Sequence, residues 1–297
     1  MAIKPIILSG KEFVNQDELS YPFEERGLQF GDGVYEVIRV YGGSYYLLNE
    51  HVDRLFRSAE AIKIALPFSK NELKELLDQL LEKNMVDKDA KVYLQVTRGS
   101  AARDHAFPLD VAANFYAYAQ ELPRNLAGMW TGGSVISHKD LRWDWCYIKS
   151  LNLLPNVLAK QEAKEDGCVE AILHKDGLVT EGSSSNAYLV RDGKVYTHPA
   201  KENILHGCVR MRVEQFCRDL NIPFVEDAFR VEDIQYADEM FISSSTAEIT
   251  PIIEFDGKKI GNGVPGEITR KLQYAYEQDA GIPMANSLFE SVERQNA

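Results

Sequence analysis

The 297-residue chain reads as an α+β protein in two domains. Three observations predict this. Short runs rich in β-branched and aromatic residues, bounded by glycine, asparagine and aspartate turn signals, recur along the chain. A few amphipathic helices interrupt these clustered strands without strict alternation. The pattern breaks at Gln120 to Gly128, where Pro123 and Asn125 mark a linker. The expected domains are therefore 1–122 and 123–282, with 283–297 as a mobile, dispensable tail.

Residues 6–48 read as short strands and turns. Val34 to Tyr41 alternates as a strand, and Gly42-Gly43 signals a hairpin before Tyr45 to Leu48. Asn49 is the expected N-cap of a helix over 51–63, with Val52, Leu55, Phe56, Ala59 and Ile62 on one face. Ser69 and Glu72 have the spacing of a capping box ahead of Leu73, Leu76, Leu77, Leu80 and Leu81. Lys91 to Thr97 and Ala112 to Ala119 read as strands. In the second half a helix is expected over 153–166, with Pro155 tolerated in its first turn. Strands follow at 169–174, 177–181, 185–191 and 194–197. A helix over 207–221, strands at 223–228, 239–243 and 249–255, and a helix over 266–279 complete the chain.

Charge narrows the function classes. Lysine and arginine number 33 against 45 acidic residues, a net −12. Such a chain lacks the basic face that nucleic acid or an anionic membrane demands. No apolar run approaches a membrane span. Met1-Ala2-Ile3-Lys4-Pro5 lacks a signal-peptide core, so a cytoplasmic protein is expected. Four cysteines (Cys146, Cys168, Cys208 and Cys217) have no CxxC spacing and are expected as free thiols in a reducing compartment. The six histidines offer no metal-binding pair, so no metal is expected.

Candidate chemistry sits in five segments and at Arg54. Lys149 lies in Cys146-Tyr147-Ile148-Lys149-Ser150-Leu151-Asn152, flanked by apolar residues. Burial would lower its pKa and make its amine a nucleophile toward aldehydes; an edge-strand lysine is the plain alternative. Thr180-Glu181-Gly182-Ser183-Ser184-Ser185-Asn186 is either a solvated turn or a carboxylate aimed at a protonated heteroaromatic nitrogen. Leu205-His206-Gly207-Cys208-Val209-Arg210 opens a helix with glycine, leaving bare N–H groups that could seat a phosphate. Ser243 to Thr246 and Arg54 could add donors and charge, although Arg54 also fits a surface ion pair near Asp53 and Arg57. In the loop Thr97 to Phe107, Arg103 and His105 point the same way and could grip a carboxylate.

Together these segments resemble the fold-type IV pyridoxal-phosphate aminotransferases, most closely those acting on D-amino acids. Phe30-Gly31-Asp32-Gly33-Val34-Tyr35-Glu36-Val37, Asn49 to Leu55, Ile148 to Asn152, Thr180 to Asn186 and Glu248-Ile249-Thr250-Pro251 are similar to the family's segments in order and spacing. The resemblance implies a smaller N-terminal α/β domain and a larger C-terminal pseudo-barrel domain. It implies pyridoxal 5′-phosphate held on Lys149, and Glu181 at the pyridine nitrogen. The phosphate falls to Arg54, the N–H groups of Cys208 and Val209, Ser244 and Ser245. Leu205 packs under the ring. Tyr35, Arg103 and His105 trap the substrate carboxylate, the last two across a homodimer interface with shared active sites. The implied substrates are D-alanine, D-glutamate and D-aspartate with 2-oxo acids.

Three positions depart from that pattern. Val209 and Ser245 stand where threonine is frequent. Arg39, a further candidate to bind the substrate carboxylate, stands where the D-specific enzymes have lysine, which resembles the branched-chain L-aminotransferases instead. The alternatives are thus a branched-chain L-amino-acid or (R)-amine aminotransferase, or an aminodeoxychorismate-type lyase; a small-molecule binding protein is the reading outside enzymes.

Overall fold

The computed structural model describes residues 2–293. Two compact units divide the chain. One takes the chain up to Arg124 together with Ile148–Asn152; the other takes Asn125–Tyr147 and the chain from Leu153 on.

The first unit is one antiparallel sheet covered on one face by two helices. Its elements are β1 (Ile3–Ser9), β2 (Glu12–Asn15), α1 (Arg26–Phe30), β3 (Gly33–Tyr41), β4 (Ser44–Tyr45), α2 (Leu48–Ala61), α3 (Lys70–Lys83), β5 (Ala90–Thr97) and β6 (Asn114–Glu121). The strand order is β2-β1-β6-β5-β3-β4. The period of two in β3 and β5 sends Val34, Ile38, Val40, Val92, Leu94 and Val96 into the core. There they meet Val52, Leu55 and Ala59 of α2 and the leucines of α3. The opposite face carries tyrosines: Tyr35 stacks on Tyr93 at 5.8 Å and Tyr93 on Tyr118 at 5.3 Å.

Several expectations need correcting here. Leu47, in a left-handed conformation (φ 57°), is the N-cap of α2, and Asn49 lies inside the helix. The Ser69 capping box forms as expected. The linker is shorter than 120–128: β6 stays paired with β5 through Glu121, and Asn125 accepts from the Gly128 N–H to cap a helix. Ile148–Asn152 joins the first unit because it pairs with β3. Tyr35 N–H donates to Lys149 O at 3.0 Å and Leu151 N–H to Gly33 O at 3.0 Å. Contacts, not chain order, decide this membership.

The second unit holds α4 (Leu126–Thr131), β7 (Gly133–Lys139), α5 (Leu154–Glu165), β8 (Glu170–Lys175), β9 (Leu178–Gly182), β10 (Asn186–Arg191), β11 (Lys194–Thr197), α6 (Cys208–Asp219), β12 (Phe224–Glu226), β13 (Glu239–Ser244), β14 (Glu248–Phe255), β15 (Lys258–Lys259), α7 (Glu267–Asp279) and α8 (Leu288–Glu293). The order is β12-β11-β10-β13-β14-β7-β8-β9, with β15 on β14. The parallel pairs β7–β8 and β11–β12 are spanned by α5 and α6, the crossovers that parallel pairing requires. β9 and β10 lie five strand positions apart in that order. In a flat sheet that is roughly 24 Å, yet only Ser183, Ser184 and Ser185 separate the two strands in the chain, a reach of about 13 Å. The sheet therefore curls, and the triple-serine turn sits at its seam.

The expected mobile tail is a correction as well. Leu288 is fully buried, Phe289 meets Trp130 and Tyr274 edge-on, and Glu277 accepts from Ser287 Oγ and Leu288 N–H at 2.7 and 2.8 Å. Apolar side chains beyond Pro283 find a core to enter. Residues 294–297 lie outside the described residues.

Candidate active-site constellations

Each unit carries one constellation of functional side chains. In the first, α2 presents His51, Arg54 and Ser58 on one buried stripe, spaced three and four residues apart. Facing it is Glu36, the one charge on the core face of β3. Arg54 grips Glu36 with Nε to Oε1 at 2.7 Å and Nη2 to Oε2 at 2.9 Å. His51 Nδ1 lies 2.7 Å from Glu36 Oε2. Burial would raise the Glu36 carboxyl, but Arg54 and His51 outweigh it and hold it well below the usual range. Arg54 is therefore no surface ion pair; its neighbour Asp53 makes that contact, with Lys70.

Lys149 belongs to this constellation. Its N–H donates to Ser58 Oγ at 3.1 Å, and its Nζ lies 4.5 Å from the centre of the Tyr35 ring. Ile148 and Ser150 are buried on either side, whereas Lys149 is half-buried and Leu154 is largely exposed. The deep burial expected from its apolar neighbours is not found, because alternate residues of an extended segment face opposite ways. Arg39 lies on the same strand face as Tyr35 but is 1% exposed, its guanidinium 4.9 Å from the Tyr41 ring. Arg103 and His105 are exposed and come together on Phe30: the guanidinium lies 4.8 Å and the imidazole 5.5 Å from its ring centre.

In the second unit Glu181 is the focus. It is buried, and N–H donors from three residues converge on it. Arg142 Nη1 donates at 2.5 Å, Asn186 Nδ2 at 3.0 Å, and the Leu205 N–H lies 3.1 and 3.2 Å from its two oxygens. Arg142 also grips Asp140 through Nε and Nη2, and Asp140 accepts from Thr180 Oγ1. Burial raises the Glu181 carboxyl, and Arg142 and the Leu205 N–H oppose the rise. Arg142 stays charged: burial works against it, but Glu181 and Asp140 hold its pKa above the ordinary value. Burial also pushes the nearby Cys146 thiol up to about 11, so it sits as a neutral thiol.

The turn after Glu181 is not a solvated loop. Glu170, buried, accepts from the hydroxyls of Ser183, Ser184 and Ser185. This fixes the start of β10, where Asn186 pairs in register with Ser243. Asn186 Nδ2 also donates to Leu205 O. Leu205, the buried Cys208 and Val209 at the start of α6, and Ser244 at the end of β13 are thus tied to one end of the sheet. Gly207 precedes α6, where a Cβ would collide with Asn186 Oδ1. Only glycine fits, and no side chain there caps the helix amides. A bare, dipole-aligned helix start fits an anionic phosphate, and a buried carboxylate held by three residues' N–H donors fits a protonated ring nitrogen.

Arg142, Asn186, Glu36 and His51 carry no role in the sequence reading. Glu36 could have been found as the charge in the inward series Val34, Ile38, Val40, and His51 as the residue three before Arg54. Arg142 lies in a loop with no periodic signal. Among the described residues no three metal-binding side chains converge.

The model of the family Amino-transferase class IV matches residues 33–255. A D-alanine aminotransferase of Staphylococcus aureus (strain N315) is 44% identical over 93% of this chain and 98% of its own length. Among solved structures, the branched-chain aminotransferase of the thermophilic archaeon Thermoproteus uzoniensis, with norvaline, superposes with TM-score 0.84 at 28% identity, covering 93% and 95% of the two chains. The Escherichia coli branched-chain enzyme gives 0.86 at 25%, covering 93% and 94%.

Proposed function

The chain belongs to the class IV amino-transferases, and we propose that it moves the amino group of D-amino acids, D-alanine, D-glutamate and D-aspartate among them, to 2-oxo acids. It is a pyridoxal-phosphate enzyme of the two-domain α+β fold. The D-specific reading is carried by the 44% identity to a D-alanine aminotransferase over nearly the whole chain, against 25–28% to the branched-chain enzymes compared.

When bound, the cofactor supplies an electron sink for the pair left at the substrate Cα after proton loss. This chain's residues do the rest. Lys149 would hold the cofactor, and its amine is placed to take the substrate Cα proton as general base. Glu181, kept in place by Arg142 and Asn186, holds the proton on the ring nitrogen. Leu205 would pack under the ring. The Glu36 pair fixes the plane of Arg54, which we assign to the phosphate; the Cys208 and Val209 amides, Ser244 and Ser245 carry the same assignment. Tyr35, Arg103 and His105 orient the substrate carboxylate, and that orientation decides which face of Cα meets Lys149. The donor leaves as a 2-oxo acid; a second 2-oxo acid then enters and leaves as an amino acid.

We assign the protein to the cytoplasm as a homodimer in which each protomer lends Arg103 and His105 to its partner's site. No helix of the described residues is long and apolar enough to cross a membrane, and the four cysteines are free thiols. Exposed apolar side chains support the dimer: Trp143 and Trp145, 5.8 Å apart, with Leu154, Val157 and Leu158.

Holoenzyme incubated with D-alanine or L-alanine plus 2-oxoglutarate should release pyruvate from the D-enantiomer alone. Lys149→Ala should lose the borohydride-fixable cofactor label and drop turnover by at least roughly 10²–10⁴-fold. Equal pyruvate from both alanines would overturn the D assignment; near wild-type turnover of Lys149→Ala would overturn the role of the lysine.

A further inference from the structure

The loop from Gly99 to Asp110 is exposed at Arg103, Asp104, His105, Ala106 and Phe107. An exposed loop that grips a substrate must be held from beneath. Here the holding group is a buried ion cluster. Arg26 is 3% exposed; its Nε donates to Asp32 Oδ2 at 2.8 Å and its Nη1 to the Asp104 carbonyl at 2.7 Å. Arg98 grips the same Asp32 at 2.8 and 3.0 Å, and its guanidinium lies 3.6 Å from the Phe107 ring centre. Between Arg103 and His105 in sequence, Asp104 is therefore pinned by its backbone. The Phe30 ring also supports the loop: Arg26 lies 4.7 Å from its centre, on the ring that Arg103 and His105 share.

We propose that Arg26, anchored on Asp32, is a positioning residue for substrate: it fixes the Asp104 carbonyl and so sets where Arg103 and His105 stand for the carboxylate. This rests on the reading above that those two residues receive the carboxylate. Asp32 suits the anchor, since Arg98 and Arg26 outweigh burial and keep its carboxyl below the ordinary range. One Nη edge of Arg26 serves the loop while Nε serves the anchor. Lysine, with a single nitrogen, cannot hold both at this geometry.

The test compares wild-type holoenzyme with Arg26→Lys, Phe30→Leu and Arg103→Ala. In Arg26→Lys, KM for D-alanine and for the 2-oxo acid should rise about ten-fold, the scale of one lost hydrogen bond. The kcat should stay within about two-fold, and the cofactor absorbance should be unchanged. Amide exchange should quicken in 101–110 and not in 148–152. Phe30→Leu should shift KM the same way and decides the matter if Arg26→Lys does not fold. If Arg103→Ala raises KM but neither supporting variant does, the positioning role fails and the carboxylate reading stands. If kcat falls in the supporting variants with KM unchanged, the role fails too. If Arg103→Ala itself leaves KM unchanged, the carboxylate reading fails and takes this inference with it.

Discussion

Arg142 donates to Glu181 at 2.5 Å while its other edge grips Asp140 through two nitrogens. A guanidinium thus stands behind the carboxylate that would partner the cofactor's ring nitrogen. Two positive groups compete for one anion, which looks wasteful until burial is considered. Burial drives Glu181 toward its neutral form, and a neutral carboxyl could not hold a pyridinium. Arg142 opposes burial and keeps the carboxylate available.

Replacing Arg142 with Met should therefore let burial raise the Glu181 carboxyl further. A group needed as an anion loses function as pH falls through its pKa, so the acid limb of kcat/KM for D-alanine should move to higher pH. Turnover at neutral pH should drop roughly ten- to a hundred-fold, the loss of one charge-assisted hydrogen bond of ~1.5–3 kcal/mol. Glu181→Gln, which cannot ionise, should be slow with no such limb. An acid limb that stays put in Arg142→Met would remove the tuning role.

The Glu36–Arg54–His51 cluster predicts how stability depends on pH. The folded Glu36 carboxyl is depressed below its unfolded value of about 4.3. Its contribution is therefore present above that value and lost as pH falls toward the folded pKa. Glu36→Gln should be less stable than wild type at pH 7 by roughly 3–5 kcal/mol, as when one partner of a buried pair is removed. The gap should shrink steadily below about pH 4. Urea midpoints measured from pH 7 to pH 3 would show it; a gap independent of pH would mean that packing alone explains the loss.

Much of this is legible in the sequence, and the failures have physical causes. Strong periodicity marks α2 and α3, and the capping box of Ser69 is visible. The segments that resemble the family can be read only in combination, since a turn of glycine, serine and carboxylate taken alone also fits a solvated loop. Three things are not legible. Apolar neighbours overstate the burial of Lys149, because an extended segment turns alternate residues outward. Arg142 reaches Glu181 only through the pairing of strands far apart in the chain. The membership of Ile148–Asn152 depends on two backbone hydrogen bonds to β3, which no local pattern announces.

The C-terminal segment shows the same limit. It reads as a mobile, dispensable tail, yet Leu288 is buried and Glu277 takes two hydrogen bonds from it. Ending the chain at Ile282 should expose the apolar site of Leu288 and strip donors from a buried carboxylate. The sum is roughly 5–9 kcal/mol, from ~1.5–3 for the leucine and ~1.5–3 for each of the two hydrogen bonds to a charged group. A truncated protein with an unchanged urea midpoint would show the segment to be dispensable.

Stereochemistry is the most exposed prediction, because Arg39 and Arg103 are rival partners for the substrate carboxylate. Arg39 is 1% exposed and lies against Tyr41. Arg103 is exposed and shares Phe30 with His105. A buried guanidinium packed on a ring is poorly placed to meet an entering anion, so the loop pair should decide chirality. L-enantiomers should be poorer donors by at least ~10²-fold, which requires about 2.7 kcal/mol of differential transition-state stabilisation. Leaving Arg103 and His105 unpaired supplies that much, at ~1.5–3 kcal/mol for each charge-assisted hydrogen bond lost. Arg103→Ala should raise the donor KM, reduce D-alanine turnover and leave cofactor binding intact, whereas Arg39→Lys should leave the D preference in place. The branched-chain reading would win if the wild type used L-leucine, Arg39→Lys abolished that activity, and Arg103→Ala changed nothing.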